Sequence, residues 1–153
     1  MNRQSLLFLF ALLAPPLLLE LLRGTVGSGE AWLWDWPLRE PVRALWLIGV
    51  IPLMEELAFR GTVQGLLNRY LPSHTGDRAI SPANLVTSVL FVLFHLVHHP
   101  CSIALLTFIP SLIFGYFRER YRSLIPPILL HLFYNYIWFA SGLDTIVPLM
   151  QPQ

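Results

Sequence analysis

Long apolar stretches decide what this chain can fold into. Five of them approach or exceed the roughly 20 residues that a bilayer-spanning helix needs. They are residues 5–22, 41–70, 82–98, 102–117 and 124–140. Hydrophobic residues make up 55% of the chain, more than a soluble fold of this size can bury. The sequence therefore predicts an all-α bundle of about five transmembrane helices in one membrane-embedded domain, residues 1–153.

The charge balance excludes several classes of function. Charged residues make up 12% of the sequence, against about 25% in soluble domains. The formal net charge is +1, so there is no basic field to attract a nucleic acid. An ordinary soluble enzyme, a disordered chain and a nucleic-acid binder are all excluded on this basis. Cys101 is the single cysteine, so the chain has no internal disulfide.

The first apolar stretch, residues 5–22, fits either a secretory signal or an uncleaved transmembrane helix. It continues past Pro15 and Pro16, beyond the length of a signal's apolar region, and no clear small-x-small cleavage site follows. We expect an uncleaved helix. After it, Trp32, Trp34 and Trp36 alternate in a way that permits a short strand, but Trp at headgroup level is the commoner arrangement, so we expect an interfacial or re-entrant segment.

The distribution of arginine predicts the orientation. With five spans, one face carries Arg3, Arg69, Arg78, Arg118, Arg120 and Arg122. The other carries Arg23, Arg39 and Arg43, offset by Glu30, Asp35 and Glu40. The positive-inside rule then puts the N-terminus in the cytoplasm. All basic residues are Arg and the chain is short, and on these grounds we expect a bacterial inner membrane protein.

Three of the predicted spans contain polar or ionisable side chains where lipid penalises them. They are Glu55, Glu56, Arg60, His95, His131 and Asn135. Such residues are functional-site candidates by default. Glu56 and Arg60 are four residues apart and so share a helix face, while Glu55 points about 100° away. Burying the whole set together lets each polar group partner another, so we expect one buried polar cluster.

This cluster has the parts needed to hydrolyse a carbonyl compound such as a peptide. A Glu–His pair can take a proton from water and create a nucleophile. His131 and Asn135 can donate hydrogen bonds to an oxyanion. No serine or cysteine fits as the nucleophile, since Cys101 is predicted to lie at a membrane face outside the cluster.

The same residues form three motifs that resemble those of the CPBP family of intramembrane endopeptidases, which includes CAAX proteases. The family's motifs are EExxxR, FxxxH and HxxxN. In this chain they are Glu55-Glu56-Leu-Ala-Phe-Arg60, Phe91-Val-Leu-Phe-His95 and His131-Leu-Phe-Tyr-Asn135. The resemblance covers residues 44–140, although larger members have further helices.

The resemblance implies a role for each motif residue in a glutamate-dependent protease. Glu55 would be the base that activates water, with His95 assisting. His131 and Asn135 would bind the developing oxyanion.

The resemblance also bears on Glu56, Arg60 and the cofactor. Glu56 and Arg60 would support the site. We expect no cofactor, because no HExxH spacing places two metal ligands on one helix. A zinc site made by Glu55, His95 and His131 stays open as the alternative.

Several of these residues also have purely structural explanations. The charged residues of the second span can form a structural polar knot or mark a helix end. A histidine or asparagine in a helix can serve only packing and hydrogen bonding. His98, His99 and Cys101 resemble a metal cluster, but at a helix end we expect them to be interfacial. Gly61 and Gly65 have the spacing of close helix packing.

The sequence thus favours an endopeptidase acting on a membrane-associated peptide or protein. Its partners would be membrane lipid and a substrate with a hydrophobic or membrane-anchored segment, for example in sorting-tail removal or peptide maturation. A non-catalytic membrane scaffold or immunity protein is one alternative. A proton or ion pathway is another, since Glu and His within the membrane suit both.

Overall fold

The computed structural model describes residues 3–26, 32–71 and 80–146, and all regular structure in these ranges is helical. The all-α prediction is confirmed. The helices are α1 (Arg3–Val26), α2 (Trp36–Arg39), α3 (Pro41–Ala44), α4 (Ile51–Glu56), α5 (Gln64–Tyr70), α6 (Pro82–His98), α7 (Cys101–Leu106), α8 (Phe108–Tyr121), α9 (Ile125–Ala140) and α10 (Leu143–Ile146). Two π-helical segments, Leu45–Val50 and Leu57–Val63, precede and follow α4.

Within these described ranges, two helical stretches are long and apolar enough to cross a bilayer, Gln4–Gly24 and Cys101–Tyr121. Helix α6 is apolar but shorter, and it covers the predicted span 82–98. The predicted span 102–117 differs in detail, because a turn at Thr107 separates α7 from α8. The Thr107 hydroxyl donates to the Ala104 carbonyl at 2.7 Å. The side chain there competes with backbone N–H groups for a helix carbonyl.

The chain forms two compact units. One comprises residues 1–51 and 132–153, and the other comprises residues 52–131. In the first, a core of Trp36, Ala44 and Ala140 packs with Trp32, Ile48 and Phe139. The described part of the tryptophan segment makes a turn into α2 rather than a strand, and the rings of Trp32 and Trp34 stack with centroids 4.6 Å apart.

In the second unit, hydrogen bonds fix the directions of the helices. Arg60 contacts Ser111, and Gln64 donates to the Gly115 carbonyl at 3.1 Å. Both partners advance by four residues, so the 57–70 helix and α8 run parallel. Ser81 donates to Glu119 at 2.6 Å while Asn84 donates to the Leu112 carbonyl at 2.9 Å, so α6 runs antiparallel to α8.

Helix α6 begins as its sequence predicts. Ser81 is the N-cap, with its hydroxyl oxygen accepting from the Asn84 backbone N–H at 2.9 Å, and Pro82 occupies the first turn. This cap satisfies a donor that the helix itself cannot pair. It also fixes Asn84 at the contact with α8.

Gly115 is a point of close approach between α6 and α8. A Cβ added there would lie 1.8 Å from Asn84 Oδ1, inside any allowed contact, and Asn84 is buried and hydrogen-bonded to Leu112. At Gly65, by contrast, the nearest atom to such a Cβ is the Arg60 carbonyl oxygen at 3.9 Å. Helix packing therefore requires a glycine at Gly115, whereas Gly65 has room for a Cβ at an ordinary contact distance.

We expect Gly115→Ala to lower the free energy of unfolding by about 1–3 kcal/mol, because Asn84 must move and lose its hydrogen bond. Gly65→Ala is the matched control and should be neutral or stabilising by up to about 1 kcal/mol. Chemical denaturation in detergent micelles, followed by circular dichroism, measures both. Equal effects of the two variants would contradict this account of the packing.

The predicted orientation places Cys101, whose thiol is free and exposed, on the non-cytoplasmic face. We expect a membrane-impermeant maleimide to label Cys101 in intact cells. In a Cys101→Ser background, Tyr121→Cys should be labelled only after the membrane is permeabilised. The reverse pattern would invert the orientation, and equal labelling of both would contradict the five-span count.

Candidate active site

The two adjacent glutamates stand at the junction of two helix types. Glu55 and Glu56 end α4, and the π-helical segment Leu57–Val63 follows directly. Single π-helical turns are rare and occur frequently at functional sites. The wider turn changes the angular spacing of the side chains that follow Glu56.

Glu56 is fully buried and is held by two donors. Its Oε1 atom accepts from Arg60 Nη1 at 3.0 Å and from His131 Nδ1 at 2.7 Å. The ion pair with Arg60 is the i, i+4 contact that the spacing predicts. Its other oxygen, Oε2, is buried without a hydrogen-bond partner.

Arg60 is fully buried and connects several helices. Its Nη2 atom donates to Ser111 Oγ at 2.7 Å and to the Ser111 carbonyl at 3.1 Å. The guanidinium carbon lies 4.5 Å from the centre of the Phe91 ring and 5.3 Å from that of Phe114, within cation–π range. Ser111 was missed by sequence reasoning. Its signal was a small polar residue inside an apolar span.

Glu55 is placed differently from its neighbour. Its side chain is 14% exposed, and its two oxygens face two imidazoles. His95 Nε2 lies 4.0 Å from Oε1 and His131 Nε2 lies 3.5 Å from Oε2. These distances are longer than a direct hydrogen bond, so Glu55 is the less constrained of the two carboxylates.

The hydrogen bond of His95 fixes which ring nitrogen carries its proton. Nδ1 lies 3.0 Å from the Phe91 carbonyl oxygen, which can only accept, so Nδ1 donates. In the neutral ring Nε2 is then an unprotonated base, and it faces Glu55. The Phe91 ring, 4.3 Å away between centroids, packs against the imidazole. The first residue of FxxxH thus orients the last.

His131 is fixed by stacking and by Glu56. Its ring stacks on Phe114 with centroids 4.9 Å apart. Since the Glu56 carboxylate is paired with Arg60 and accepts, His131 donates from Nδ1. Its Nε2 atom is left facing Glu55. Phe114 was a second residue that sequence reasoning missed, because an aromatic in an apolar span has no distinguishing signal.

Asn135 lies in the other compact unit, which comprises residues 1–51 and 132–153. Its Nδ2 atom donates to the Leu47 carbonyl at 2.9 Å, at the π-helical segment Leu45–Val50. The amide has a second N–H. A role at the oxyanion stays a prediction for Asn135.

The metal alternative would need Glu55, His95 and His131 as its donor set. Within residues 3–26, 32–71 and 80–146, no group of three His, Cys, Asp or Glu side chains is arranged to hold a metal ion. This includes the set Glu55, His95 and His131. His98, His99 and Cys101 are exposed, with His99 stacked on His95 at 5.5 Å.

Comparison with protein families gives one match, over residues 37–137, to the Rce1-like family described as type II CAAX prenyl endopeptidase Rce1-like. The chain belongs to this family. No curated protein and no solved structure matches the chain. Rce1-like proteins are membrane-embedded proteases, which agrees with the resemblance of the three motifs and with the apolar helices.

The matched range of the Rce1-like family contains every predicted site residue, from Glu55 to Asn135. Five of the six lie in the unit of residues 52–131, where the structure brings them together.

Removing the Glu56 carboxylate leaves the Arg60 charge buried without its counter-ion. We therefore expect Glu56→Ala to reduce the free energy of unfolding by about 3–5 kcal/mol. Glu55→Ala is the matched control. It should cost less than about 1 kcal/mol, because this partly exposed group makes only long contacts. Denaturant titration in detergent measures the free energy of unfolding of both variants. A larger decrease for Glu55→Ala than for Glu56→Ala would contradict the assignment of the structural ion pair to Glu56.

Proposed function

We propose that this Rce1-like chain is a glutamate-dependent intramembrane endopeptidase that needs no metal. The observation that carries the proposal is the position of Glu55. Its partly exposed carboxylate faces Nε2 of His95 and of His131, beside a buried Glu56 whose Oε1 accepts from both Arg60 and His131. A base must be reachable and free to change protonation state, and of the two carboxylates only Glu55 meets both conditions.

The proposed nucleophile is a water molecule between Glu55 and His95. The 4.0 Å separation of Oε1 from Nε2 is too long for a direct hydrogen bond and suits a bridging water. Glu55 takes one proton as the water oxygen bonds to the substrate carbonyl carbon. The tetrahedral intermediate then collapses, the C–N bond breaks, and the proton passes from Glu55 to the leaving amine. His95 holds the water through its unprotonated Nε2.

The oxyanion of that intermediate needs hydrogen-bond donors. We assign this role to His131 and Asn135, as the family resemblance implies. His131 can donate from Nε2 only when both ring nitrogens carry protons, because Nδ1 already donates to Glu56. Asn135 would use the N–H that Leu47 does not occupy.

The substrate would be a peptide or protein with a membrane-anchored or hydrophobic segment, processed during peptide maturation or removal of a C-terminal sorting tail. Membrane lipid would be the surrounding partner. We place the chain in a bacterial inner membrane with its N-terminus in the cytoplasm, because of the arginine distribution.

Glu55→Gln and His95→Ala should each abolish cleavage while leaving an inserted, folded protein. The measurement compares peptide termini in membranes of host cells that express wild-type or variant protein, using mass spectrometry. Termini that appear with the wild type should be absent with both variants. Glu40→Gln changes an exposed glutamate outside the site and should leave them present.

Termini that persist in both variants would refute a glutamate-dependent hydrolase. If a partner protein still co-purifies with Glu55→Gln and protection of the host survives, the scaffold alternative is favoured. Treatment of purified protein with a strong chelator should leave cleavage unchanged. If the chelator abolishes cleavage and added zinc restores it, the zinc site of Glu55, His95 and His131 is favoured instead.

A further inference from the structure

A groove opens between the 57–70 helix and α8, apart from the glutamate cluster. Its volume is about 380 Å³, and its lining residues are Gly61, Thr62, Gly65, Leu66, Arg69 and Arg118. Gly65 contributes to the opening, since a Cβ there would meet no atom closer than the Arg60 carbonyl oxygen at 3.9 Å. At Gly61 a Cβ would lie 3.4 Å from Leu124 Cδ1, so the two glycines differ in how closely they are packed.

Two guanidinium groups line this groove without a carboxylate partner among the described residues. Arg69 is exposed, and Arg118 contributes Nε to the Arg60 carbonyl at 3.4 Å. The acid next to Arg118 in sequence, Glu119, accepts from Gln64 at 2.8 Å and from Ser81 at 2.6 Å instead. Within residues 3–26, 32–71 and 80–146, no carboxylate therefore balances the positive charge of the groove.

The surrounding residues place the groove at the level of lipid headgroups. The two helices run parallel, so their C-terminal ends lie at the same level. One ends in Arg69 and exposed Tyr70, and the other ends with Arg120 and Tyr121. Tyrosine and arginine at helix ends are typical of the membrane interface. Leu66, 48% exposed, adds an apolar surface beside the two cations.

We infer that this groove binds the phosphate headgroup of an anionic membrane lipid. Arg69 and Arg118 supply planar donors that match phosphate oxygens. Glycine lets the headgroup approach the helix backbone, and Leu66 contacts the start of an acyl chain. Basic pockets between transmembrane helices bind such headgroups elsewhere. The inference is independent of the proposed peptide chemistry.

A simpler role for both arginines is to face the membrane interface and the negative ends of their helices. That role requires positive charge but no groove. The two explanations therefore differ in what filling the groove does while both charges stay in place.

The test is lipid binding by the full-length protein in phosphatidylcholine nanodiscs with added phosphatidylglycerol, followed by native mass spectrometry of the released complex. Wild type should retain bound phosphatidylglycerol. Arg69→Gln with Arg118→Gln should reduce its affinity about tenfold or more, as expected for lost charge-assisted hydrogen bonds. Arg120→Gln with Arg122→Gln removes the same charge outside the groove and should retain binding.

Gly65→Leu fills the groove and preserves both arginines, so it should also lose the lipid. Retention of lipid by Gly65→Leu, or equal losses in the two double variants, would overturn the groove as the site. Inorganic phosphate, added as a competitor, separates the two sources of the anion. If it displaces the lipid at equal concentration, the groove holds a free anion and the lipid assignment is wrong.

Discussion

The buried ion pair between Glu56 and Arg60 is the contact on which the packing of residues 52–131 depends. Taking two charges out of water costs more than their attraction returns unless further hydrogen bonds satisfy them. Here Ser111 supplies two acceptors to Arg60, and His131 supplies a second donor to Glu56. The rings of Phe91 and Phe114 cover the guanidinium. These contacts come from three helices, α6, α8 and α9, so the ion pair holds the three together.

Fixing Glu56 in this way gives two adjacent carboxylates different surroundings. They differ by one position along the helix, about 100° in direction. Glu56 turns inward and has its charge balanced, whereas Glu55 turns toward two imidazole nitrogens at longer distances. Consecutive residues of one helix thus present one carboxylate held by short hydrogen bonds and one that makes only longer contacts. The i, i+4 spacing to Arg60 determines that Glu56, and not Glu55, is the carboxylate in the ion pair.

Features that depend on residue type and spacing could be predicted from the sequence, and those that depend on backbone groups could not. The bounds of α6, its Ser81 cap and the Glu56–Arg60 pair all follow from local chemistry. The carbonyl partners of Gln64, Asn135 and His95 do not, because every residue carries the same carbonyl. The π-helical segments escape prediction for a related reason, since tertiary contacts rather than a distinct residue pattern select them.

Arg60 also connects the site to the groove. Its side chain pairs with Glu56, while its backbone carbonyl contacts Arg118 Nε. Arg118 lines the groove, and its sequence neighbour Glu119 is held by Gln64 and Ser81 on the inner side. These two consecutive residues of α8 point about 100° apart, so one reaches the groove while the other reaches the buried network. A phosphate held by Arg118 would lie one residue away from the pair that fixes Glu56, and the headgroup level would be coupled to the site through Arg60.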